Sequence, residues 1–345
     1  MADALTAPAV FGCAGPALSP EERSFFREAN PLGFILFQRN CTDPDQVRTL
    51  VDNLRACVGR ADAPVLIDQE GGRVARLKPP HWRAAPAPGA FAALAQKDPE
   101  RAVRAARLNA RLMAAELADL GITVDCTPVL DIPRPGADPI IGDRALGDAP
   151  ETVARLGRAV CEGLLDGGVL PVIKHIPGHG RAPADSHKTL PVVETGIAAL
   201  RESDFAPFKA LRDIPWAMTA HVLYTDLDSA APATTSKTII GDIIRGEIGF
   251  QGVLVSDDLS MRALAGDFRE RAAMSLAAGC DIVLHCNGDR AEMEAVMTGC
   301  GAMGLDAILR LQRAESVRTA PGGGERAFDR AEALSRFDHL MEAVS

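Results

Sequence analysis

The chain has 345 residues, of which 47% are hydrophobic and 24% are charged, and its formal net charge at pH 7 is −9. Such a composition is typical of a globular protein with a substantial core and excludes a chain that is mostly disordered. Because the acidic balance comes without a basic patch interleaved with aromatic residues, we expect a small-molecule substrate, with neither nucleic acid nor a membrane as partner.

The N-terminal residues and the cysteines both favour a cytoplasmic protein. Residues 1–8 have no cationic stretch before an apolar one, as a secretory signal would, and no uncharged apolar run is long enough to span a bilayer. The 8 cysteines form no C-x-x-C pair in a chain too long to need disulfide bonds, so we expect reduced, mostly buried thiols. The oligomeric state stays open, with a monomer as our expectation.

Short apolar runs alternate with helical patterns along the chain, which is typical of parallel β-α units. Eight strands are predicted, at residues 9–13, 33–37, 65–68, 123–125, 171–175, 217–221, 253–257 and 281–285. Helical patterns cover residues 43–58, 98–120, 150–166, 197–211, 236–247 and 263–278. This alternation predicts the α/β class and a (β/α)8 TIM barrel, whose active site would lie at the C-terminal ends of the strands.

A doubly wound open sheet is the structural alternative, but no G-x-G-x-x-G follows the first predicted strand. We expect residues 1–345 to form a single catalytic domain. A Pro-Gly-Gly-Gly hinge at 321–324 precedes a predicted amphipathic helix at 326–344, so a helical extension at about 325–345 should pack on the outside of the barrel.

Polar residues stand at the ends of most predicted strands, where apolar residues precede them. If the barrel forms, these side chains should meet at its mouth. They are Asp68, Asp125, Lys174, His175, His221, Asp257 and His285.

The fifth strand leads into a loop with an unusual density of titratable groups, Lys-His-Ile-Pro-Gly-His-Gly-Arg-Ala-Pro-Ala-Asp-Ser-His at 174–187. Asp185 and His187 are two residues apart, so the carboxylate can orient the imidazole as a mobile acid and base. The ordinary pKa of histidine lies close to neutral pH, which suits a group that first donates a proton and later accepts one. A lone histidine would more often be an ordinary surface or core residue, and the cluster around it favours function.

The seventh strand ends in two carboxylates, Asp257 and Asp258, and a carboxylate at a barrel mouth can attack an electrophilic carbon or bind a cation. A helix N-cap is the structural alternative for either residue. Strand alternation should let only one of the two face the mouth, and the residues alone do not decide which.

Two further segments combine charge with glycine turns. The run Asp-Gln-Glu-Gly-Gly-Arg-Val-Ala-Arg at 68–76 follows the third strand, and Gly-Asp-Arg-Ala-Leu-Gly at 142–147 supplies another arginine. Carboxylates and guanidinium groups together suit the recognition of sugar hydroxyls. A structural ion pair is the simpler interpretation of these groups.

A catalytic metal held by His175, His179, Asp185 and His187 is a different hypothesis. The spacing lacks the Glu of H-E-x-x-H, and glycine and proline place these residues in a loop, not on one helix face. We therefore predict no metal and no other cofactor.

Taken in order, the motifs at 68–76, 142–147 and 174–187, with Ser-Asp-Asp-Leu-Ser-Met at 256–261, resemble those of glycoside hydrolase family 3 β-N-acetylglucosaminidases. The resemblance covers most of residues 5–300. It implies a single-domain TIM barrel of the short bacterial type that acts in peptidoglycan recycling. Ile176, where phenylalanine is usual, and Ala145, where serine is more familiar, depart conservatively from the family pattern.

The resemblance also implies roles for individual residues. Asp257 is implied to be the nucleophile of a covalent glycosyl-enzyme, and His187, supported by Asp185, to be the acid and base. Implied substrate-binding residues are Asp68, Arg76, Arg144, Lys174 and His175.

The implied reaction is the removal of terminal, non-reducing β-1,4-linked N-acetylglucosamine from 1,6-anhydro-N-acetylmuramoyl peptides and related muropeptides. A family 3 glycosidase of other sugar specificity is the alternative function. Attack by the substrate's own acetamido group is the alternative mechanism, and it predicts no trapped enzyme adduct.

Overall fold

A computed structural model of the chain describes residues 6–320 and 328–342. Within these residues, eight parallel strands close into a barrel in which each strand pairs with the next along the chain and the first pairs with the last. The predicted (β/α)8 barrel is confirmed, and predicted strand ends shift by at most two residues. The barrel strands are Ala7–Gly12, Pro31–Leu36, Val65–Ile67, Val124–Asp125, Leu170–Ile176, Trp216–Thr219, Val253–Asp258 and Ile282–His285.

Helices connect the strands and surround the barrel. Several begin where the sequence supplies both a side-chain cap and a proline in the first turn: Ser19 accepts a hydrogen bond from the backbone of Glu22, and Asp43 accepts one from that of Gln46. The described helices are Pro20–Ala29, Pro44–Val58, Pro88–Lys97, Pro99–Asp119, Pro150–Asp166, Ile197–Glu202, Phe205–Ala210, Ile239–Glu247, Phe268–Ala278, Arg290–Gly299, Leu305–Arg318 and Arg330–Met341.

One predicted helix is broken in two. The pattern at 197–211 forms Ile197–Glu202 and Phe205–Ala210, because Pro207 has no N–H to bond to the carbonyl of Ser203 in a continuous helix. Asp204, in the break, instead accepts a hydrogen bond from the Ser203 hydroxyl. The helix predicted at 263–278 likewise begins only at residue 268.

Strand alternation separates two layers of apolar side chains. Val172 belongs to the cluster inside the barrel, together with Trp216 and Val255, whereas Ile173 belongs to the cluster between barrel and helices. The next side chain in this alternation, Lys174, therefore enters the barrel mouth, where it is only 2% exposed. The strand pattern thus places a charged amine at the inner edge of the site.

The helix Leu305–Arg318 lies across the N-terminal end of the barrel. Its Ala314 packs with the apolar residues of the barrel interior, and Arg310 forms an ion pair with Asp281 at the start of the eighth strand. This end is only partly covered, since a cavity of about 400 Å³ remains between the helix and the strand starts. The C-terminal ends of the strands border a second open pocket.

The last described helix, Arg330–Met341, packs on the outside of the barrel. The Phe337 ring lies 6.4 Å from that of Phe91, and Arg101 donates to the carbonyl of Leu340. The predicted hinge at 321–324 and the ends of the predicted helix lie outside the described residues. Among the described helices, none is long and apolar enough to cross a membrane.

Candidate active site

A cavity of about 210 Å³ opens at the C-terminal ends of the strands. Pockets for drug-sized ligands are usually ~300–1,000 Å³, so this cavity suits a smaller ligand such as a single sugar ring. All of the predicted site residues except Asp185 line it: Asp68, Arg76, Arg144, Lys174, His175, His187 and Asp257.

Five of the lining side chains form one network of alternating charge. The Lys174 ammonium lies 2.9 Å from Asp68 and 2.7 Å from Glu70. Arg76 donates to the second oxygen of Asp68, and Arg144 forms a two-pronged contact with Glu70 at 2.7 and 2.8 Å. With three cations against two carboxylates, this network has a net positive charge.

The partners in this network fix one another's ionisation. Burial alone would raise the pKa of Asp68 and of Glu70, but the Lys174 ammonium and the neighbouring arginines lower both pKa values. Burial would lower the pKa of Lys174, and the two carboxylates raise it. Asp68, Glu70 and Lys174 are therefore all charged at neutral pH, and binding of a neutral ligand does not easily change their protonation.

The histidine that follows Lys174 bridges two carboxylates. Nδ1 of His175 lies 2.6 Å from Oδ2 of Asp131, and its Nε2 lies 4.0 Å from Oδ2 of Asp257. Asp131 is fully buried and also accepts hydrogen bonds from the backbone N–H groups of His175 and His179. Burial would raise the pKa of Asp131, but His175 and His179 lower it.

Asp257 and Asp258 have different surroundings, although both border the cavity, which differs from the expectation that only one would. Asp258 accepts hydrogen bonds from the N–H and hydroxyl of Ser260 and from the N–H of Cys286. Asp257 accepts one from the N–H of Asp258. Burial would raise the pKa of Asp257, but His175 and His221 lower it, so an ionised carboxylate faces the cavity.

Asp185 and His187 form the predicted pair at the rim. Nδ1 of His187 lies 2.7 Å from Oδ1 of Asp185, which also accepts the backbone N–H of His187. The His187 side chain is 61% exposed, whereas that of Asp185 is 12% exposed. The carboxylate thus holds Nδ1 and leaves Nε2 as the free ring nitrogen. Burial would raise the pKa of Asp185, but the hydrogen bonds from His187 lower it.

The loop that bears His187 is tied to its neighbours. The carbonyls of Ser186 and His187 accept hydrogen bonds from the backbone of Ala263 and Arg262, in the segment that follows Asp258. The ring of His179 contacts the Ser186 hydroxyl at 3.3 Å from within the loop. These contacts bring a residue of the fifth β-α connection to the end of the seventh strand.

Three of the strand-end polar residues do not line the cavity. His221 donates from Nε2 to the carbonyl of Asp258, and its Nδ1 lies 2.7 Å from the Thr234 hydroxyl, so it supports the strand end from below. His285 points into the helical layer, 3.2 Å from Glu292. Asp125 accepts the backbone N–H of Gln69. Burial raises the pKa of Asp125 well above its usual range.

Sequence reasoning missed Asp131 and did not single out Glu70. Glu70 lies within the motif at 68–76, and its place directly before two glycines and an arginine was the available signal. Asp131 lies in an apolar and proline-rich stretch without a neighbouring motif, so only the fold reveals its contact with His175.

Among the described residues, no group of three or more His, Cys, Asp or Glu side chains is arranged to hold a metal ion. The loop histidines instead have separate partners: His175 contacts Asp131, His179 contacts Ser186, and His187 contacts Asp185.

The barrel and its charged pocket define a site for a small polar substrate, and comparison with known proteins specifies the class of protein. The model of the "Glycosyl hydrolase family 3 N terminal domain" matches residues 5–304. The chain therefore belongs to glycoside hydrolase family 3.

Characterised relatives and solved structures narrow the class further. A β-hexosaminidase of Alkalilimnicola ehrlichii is 42% identical over 287 residues, covering 82% of this chain and 81% of the relative. A β-hexosaminidase of Bordetella avium is 36% identical and covers 98% of this chain and 95% of its own. NagZ from Neisseria gonorrhoeae, solved in complex with N-trifluoroacetyl-D-glucosamine, has a TM-score of 0.86 and 32% identity, covering 98% of this chain and 99% of that one. This chain is accordingly a family 3 β-N-acetylglucosaminidase, a glycoside hydrolase acting on N-acetylglucosamine glycosides.

Proposed function

We propose that this enzyme removes non-reducing terminal β-1,4-linked N-acetylglucosamine from 1,6-anhydro-N-acetylmuramoyl peptides and related muropeptides, with retention of the anomeric configuration. The observation that supports the proposal most directly is the convergence of three groups on one small cavity. They are the ionised Asp257, the Asp185–His187 pair and the five-residue charge network.

In the first step of the proposed reaction, Asp257 attacks the anomeric carbon. The bond from this carbon to the leaving oxygen breaks, and Nε2–H of His187 donates its proton to that oxygen. The low pKa of Asp257 supports this role, because a nucleophile must be ionised at working pH. The product of the step is a covalent glycosyl-aspartate and a free aglycone.

In the second step, water attacks the same carbon and the bond to Asp257 breaks. The now neutral His187 accepts the proton of the water at Nε2, which restores its starting state. The contact between Nδ1 and Asp185 stabilises the imidazolium and keeps Nε2 directed away from the carboxylate. Most glycosidases use a carboxylic acid in this role, whose pKa must be raised, whereas histidine needs no such shift.

The network holds the sugar in this proposal. Asp68 accepts hydrogen bonds from hydroxyl groups, while Arg76, Arg144 and Lys174 donate to hydroxyl or acetamido oxygens. His175 presents Nε2 to the same space. Because the network positions its charges before the ligand arrives, little reorganisation accompanies binding.

The aglycone and the cellular role rest on two further observations. Arg73 lines the cavity with a side chain that is 45% exposed. Its Nε pairs with Asp143 at 2.8 Å, and its remaining N–H groups suit a carboxylate-bearing aglycone such as a muropeptide. The chain matches 99% of N. gonorrhoeae NagZ. We further propose a role in cytoplasmic peptidoglycan recycling, related to cell shape and division, with residues 1–345 as one catalytic domain and 325–345 as its helical extension.

Covalent trapping distinguishes this mechanism from attack by the acetamido group. A 2-acetamido-5-fluoro glycoside should inactivate the enzyme and label Asp257, as found by mass spectrometry of peptides. Asp257→Ala should lose turnover, whereas the matched control Asp258→Asn should still be labelled at Asp257. A label on Asp258, or an active enzyme that forms no adduct, would contradict the assignment.

Product analysis tests the substrate. The purified enzyme is incubated with anhydro-muropeptides, with chitobiose and with aryl glycosides of N-acetylglucosamine, N-acetylgalactosamine and glucose. We expect N-acetylglucosamine to be released first as the β-anomer, with the highest kcat/KM on the muropeptides. Preference for glucose or for an internal bond would support the alternative family 3 specificity.

A further inference from the structure

The roles proposed above assign no function to the buried carboxylate of Asp131. Asp131 is fully buried, does not line the cavity, and follows the fourth strand in the chain. Burying a carboxylate is costly unless hydrogen bonds and charges compensate for the lost water. Asp131 receives that compensation from residues 44 and 48 positions later in the chain, at the entrance of the catalytic loop.

The two carboxylate oxygens of Asp131 have different hydrogen-bond partners. Oδ1 accepts the backbone N–H groups of His175 and His179, at 3.2 and 2.6 Å. Oδ2 lies 2.6 Å from Nδ1 of His175. A carboxylate without its own proton is only an acceptor, so the hydrogen of this contact must be on Nδ1.

The opposite nitrogen of the same ring faces the nucleophile. Nε2 of His175 is 4.0 Å from Oδ2 of Asp257, which is too long for a hydrogen bond but places the ring edge directly beside the nucleophile's carboxylate. Asp131, His175 and Asp257 therefore form a line of carboxylate, imidazole and carboxylate that ends in the cavity.

We propose that Asp131 is a positioning residue for catalysis: it fixes the hydrogen of His175 on Nδ1 and the plane of the ring, so that Nε2 is directed at the nucleophile Asp257. This inference rests on the proposed role of Asp257. It assigns to Asp131 an effect that reaches the reacting carboxylate only through His175.

The substitution Asp131→Asn tests the tautomer directly. The amide oxygen can still accept the two backbone N–H groups, but an NH2 group now faces Nδ1. The contact then survives only if Nδ1 becomes an acceptor and the ring hydrogen moves to Nε2. The same exchange at the acid that orients the histidine of a serine protease lowers kcat by about 10⁴-fold. Since His175 itself transfers no proton here, we expect a loss in kcat of about 10²-fold.

Nitrogen NMR of enzyme isotopically labelled at its histidines shows which ring nitrogen of His175 carries the hydrogen. The His175 signals are assigned by their loss in His175→Gln. In the wild type, Nδ1 of His175 should bear a hydrogen, and in Asp131→Asn it should not. A bare Nδ1 in the wild type would overturn the proposal whether or not the variant folds.

A double-mutant cycle then separates positioning from support of the backbone. In a His175→Gln background, Asp131→Asn should change kcat by less than about threefold, because its effect requires the imidazole. If the losses of the two single variants multiply, Asp131 acts only through the backbone and the proposal is wrong.

Asp281→Asn is the matched control. Asp281 is also buried and accepts a backbone N–H and two arginines, but at the opposite end of the barrel. It should lower the melting temperature while leaving the His175 signal and kcat unchanged. Trapping of a residue other than Asp257 would reject the proposed nucleophile, whereas coupling between Asp131 and His175 would still be measurable, so the two failures are distinguishable.

Discussion

His187 combines high exposure with a fixed ring, and this contrast has a functional reason. A proton donor to an aglycone must reach the boundary between cavity and solvent, so burial would block its task. The contacts of Asp185 with Nδ1 and with the backbone N–H of His187 orient the ring without enclosing it. The residue is therefore ordered by two hydrogen bonds rather than by packing.

Replacing His187 should affect substrates according to their leaving groups. In His187→Ala, an aglycone that needs protonation departs slowly, and we expect kcat/KM to fall by about 10²–10⁴-fold, the usual contribution of a general acid. An aryl glycoside with an acidic phenol should lose much less. The measurement is kcat/KM across a series of aryl glycosides, together with a muropeptide.

Lys188→Ala is the control for this series. Lys188 is the next residue and is 81% exposed, with its ammonium 3.4 Å from Asp185, but it does not line the cavity. Its removal should leave the dependence on leaving group unchanged. Equal losses for all leaving groups in His187→Ala would argue against an acid role.

At the scale of elements, two loops at the barrel mouth support each other. The carbonyls of Gly180 and Ala182 accept hydrogen bonds from the backbone of Arg134 and Asp138, and Gly180 lies directly against the backbone of Ile132. The catalytic loop thus has a second loop as its base, and the close approach requires glycine at position 180.

Gly180→Ala should displace this loop. The added methyl group would overlap backbone atoms of Ile132, which have little freedom to move aside. A displacement of 1 Å can cost about 10²-fold in rate, so we expect kcat/KM for a muropeptide to fall by at least about tenfold. Steady-state kinetics and thermal melting together give the result.

Gly241→Ala provides the comparison, because a methyl group there meets no atom within 4 Å and the residue lies in the helix Ile239–Glu247. It should retain full activity and gain about 0.5–1 kcal/mol of stability. Unchanged kinetics in Gly180→Ala would show that the loop tolerates the shift.

At the scale of the whole molecule, the charge network links function to stability. Lys174 neutralises both Asp68 and Glu70 in a site where water has little access. Removing one partner of a buried ion pair leaves an uncompensated charge, which typically costs about 3–5 kcal/mol. The site is therefore also a part of the folded core.

Lys174→Met should lower the free energy of unfolding at pH 7 by less than the ~3–5 kcal/mol that a stranded buried charge costs, because Arg76 and Arg144 still pair with Asp68 and Glu70. The double variant with Glu70→Gln should be less stable than the single variant, since Arg144 then loses its carboxylate partner. Urea denaturation measures both losses, and a double variant more stable than Lys174→Met would contradict this account.

The dependence of the free energy of unfolding on pH has a definite sign. The pKa values of Asp68 and Glu70 are lower in the folded than in the unfolded chain. Their contribution to stability is thus present above the unfolded values of ~3.9 and ~4.3, and is lost as the pH falls through the folded values. Urea midpoints of the wild type should decline below about pH 4, and those of Lys174→Met should decline less.

Whether a feature could be predicted from the sequence depends on how far apart in the chain its interacting residues lie. The strands depend on local patterns and were predicted, and the caps at Ser19 and Asp43 depend on equally local patterns. The helix break near Pro207 is also local, but the apolar periodicity across it concealed the proline. His285 faces away from the mouth because side chains alternate between the two faces of a strand. Its place at the strand end therefore does not decide which way it points.

Interactions between distant segments were beyond local patterns. The contact of Asp131 with His175 and the three hydrogen bonds that occupy Asp258 join residues separated by the fold's crossovers or by a turn that no motif indicates. Seven of the eight residues that the resemblance to the family named line the cavity. The resemblance gave no account of what holds them.

The packed interior of the barrel determines the order in which the products leave. Below Lys174 the barrel is filled by Val172, Trp216 and Val255, so the active-site cavity has an apolar floor and an opening at the rim. In the proposed reaction the sugar lies against this floor, and the aglycone lies toward the rim. The aglycone must leave before water can enter from above, and the sugar departs last by the route through which it came.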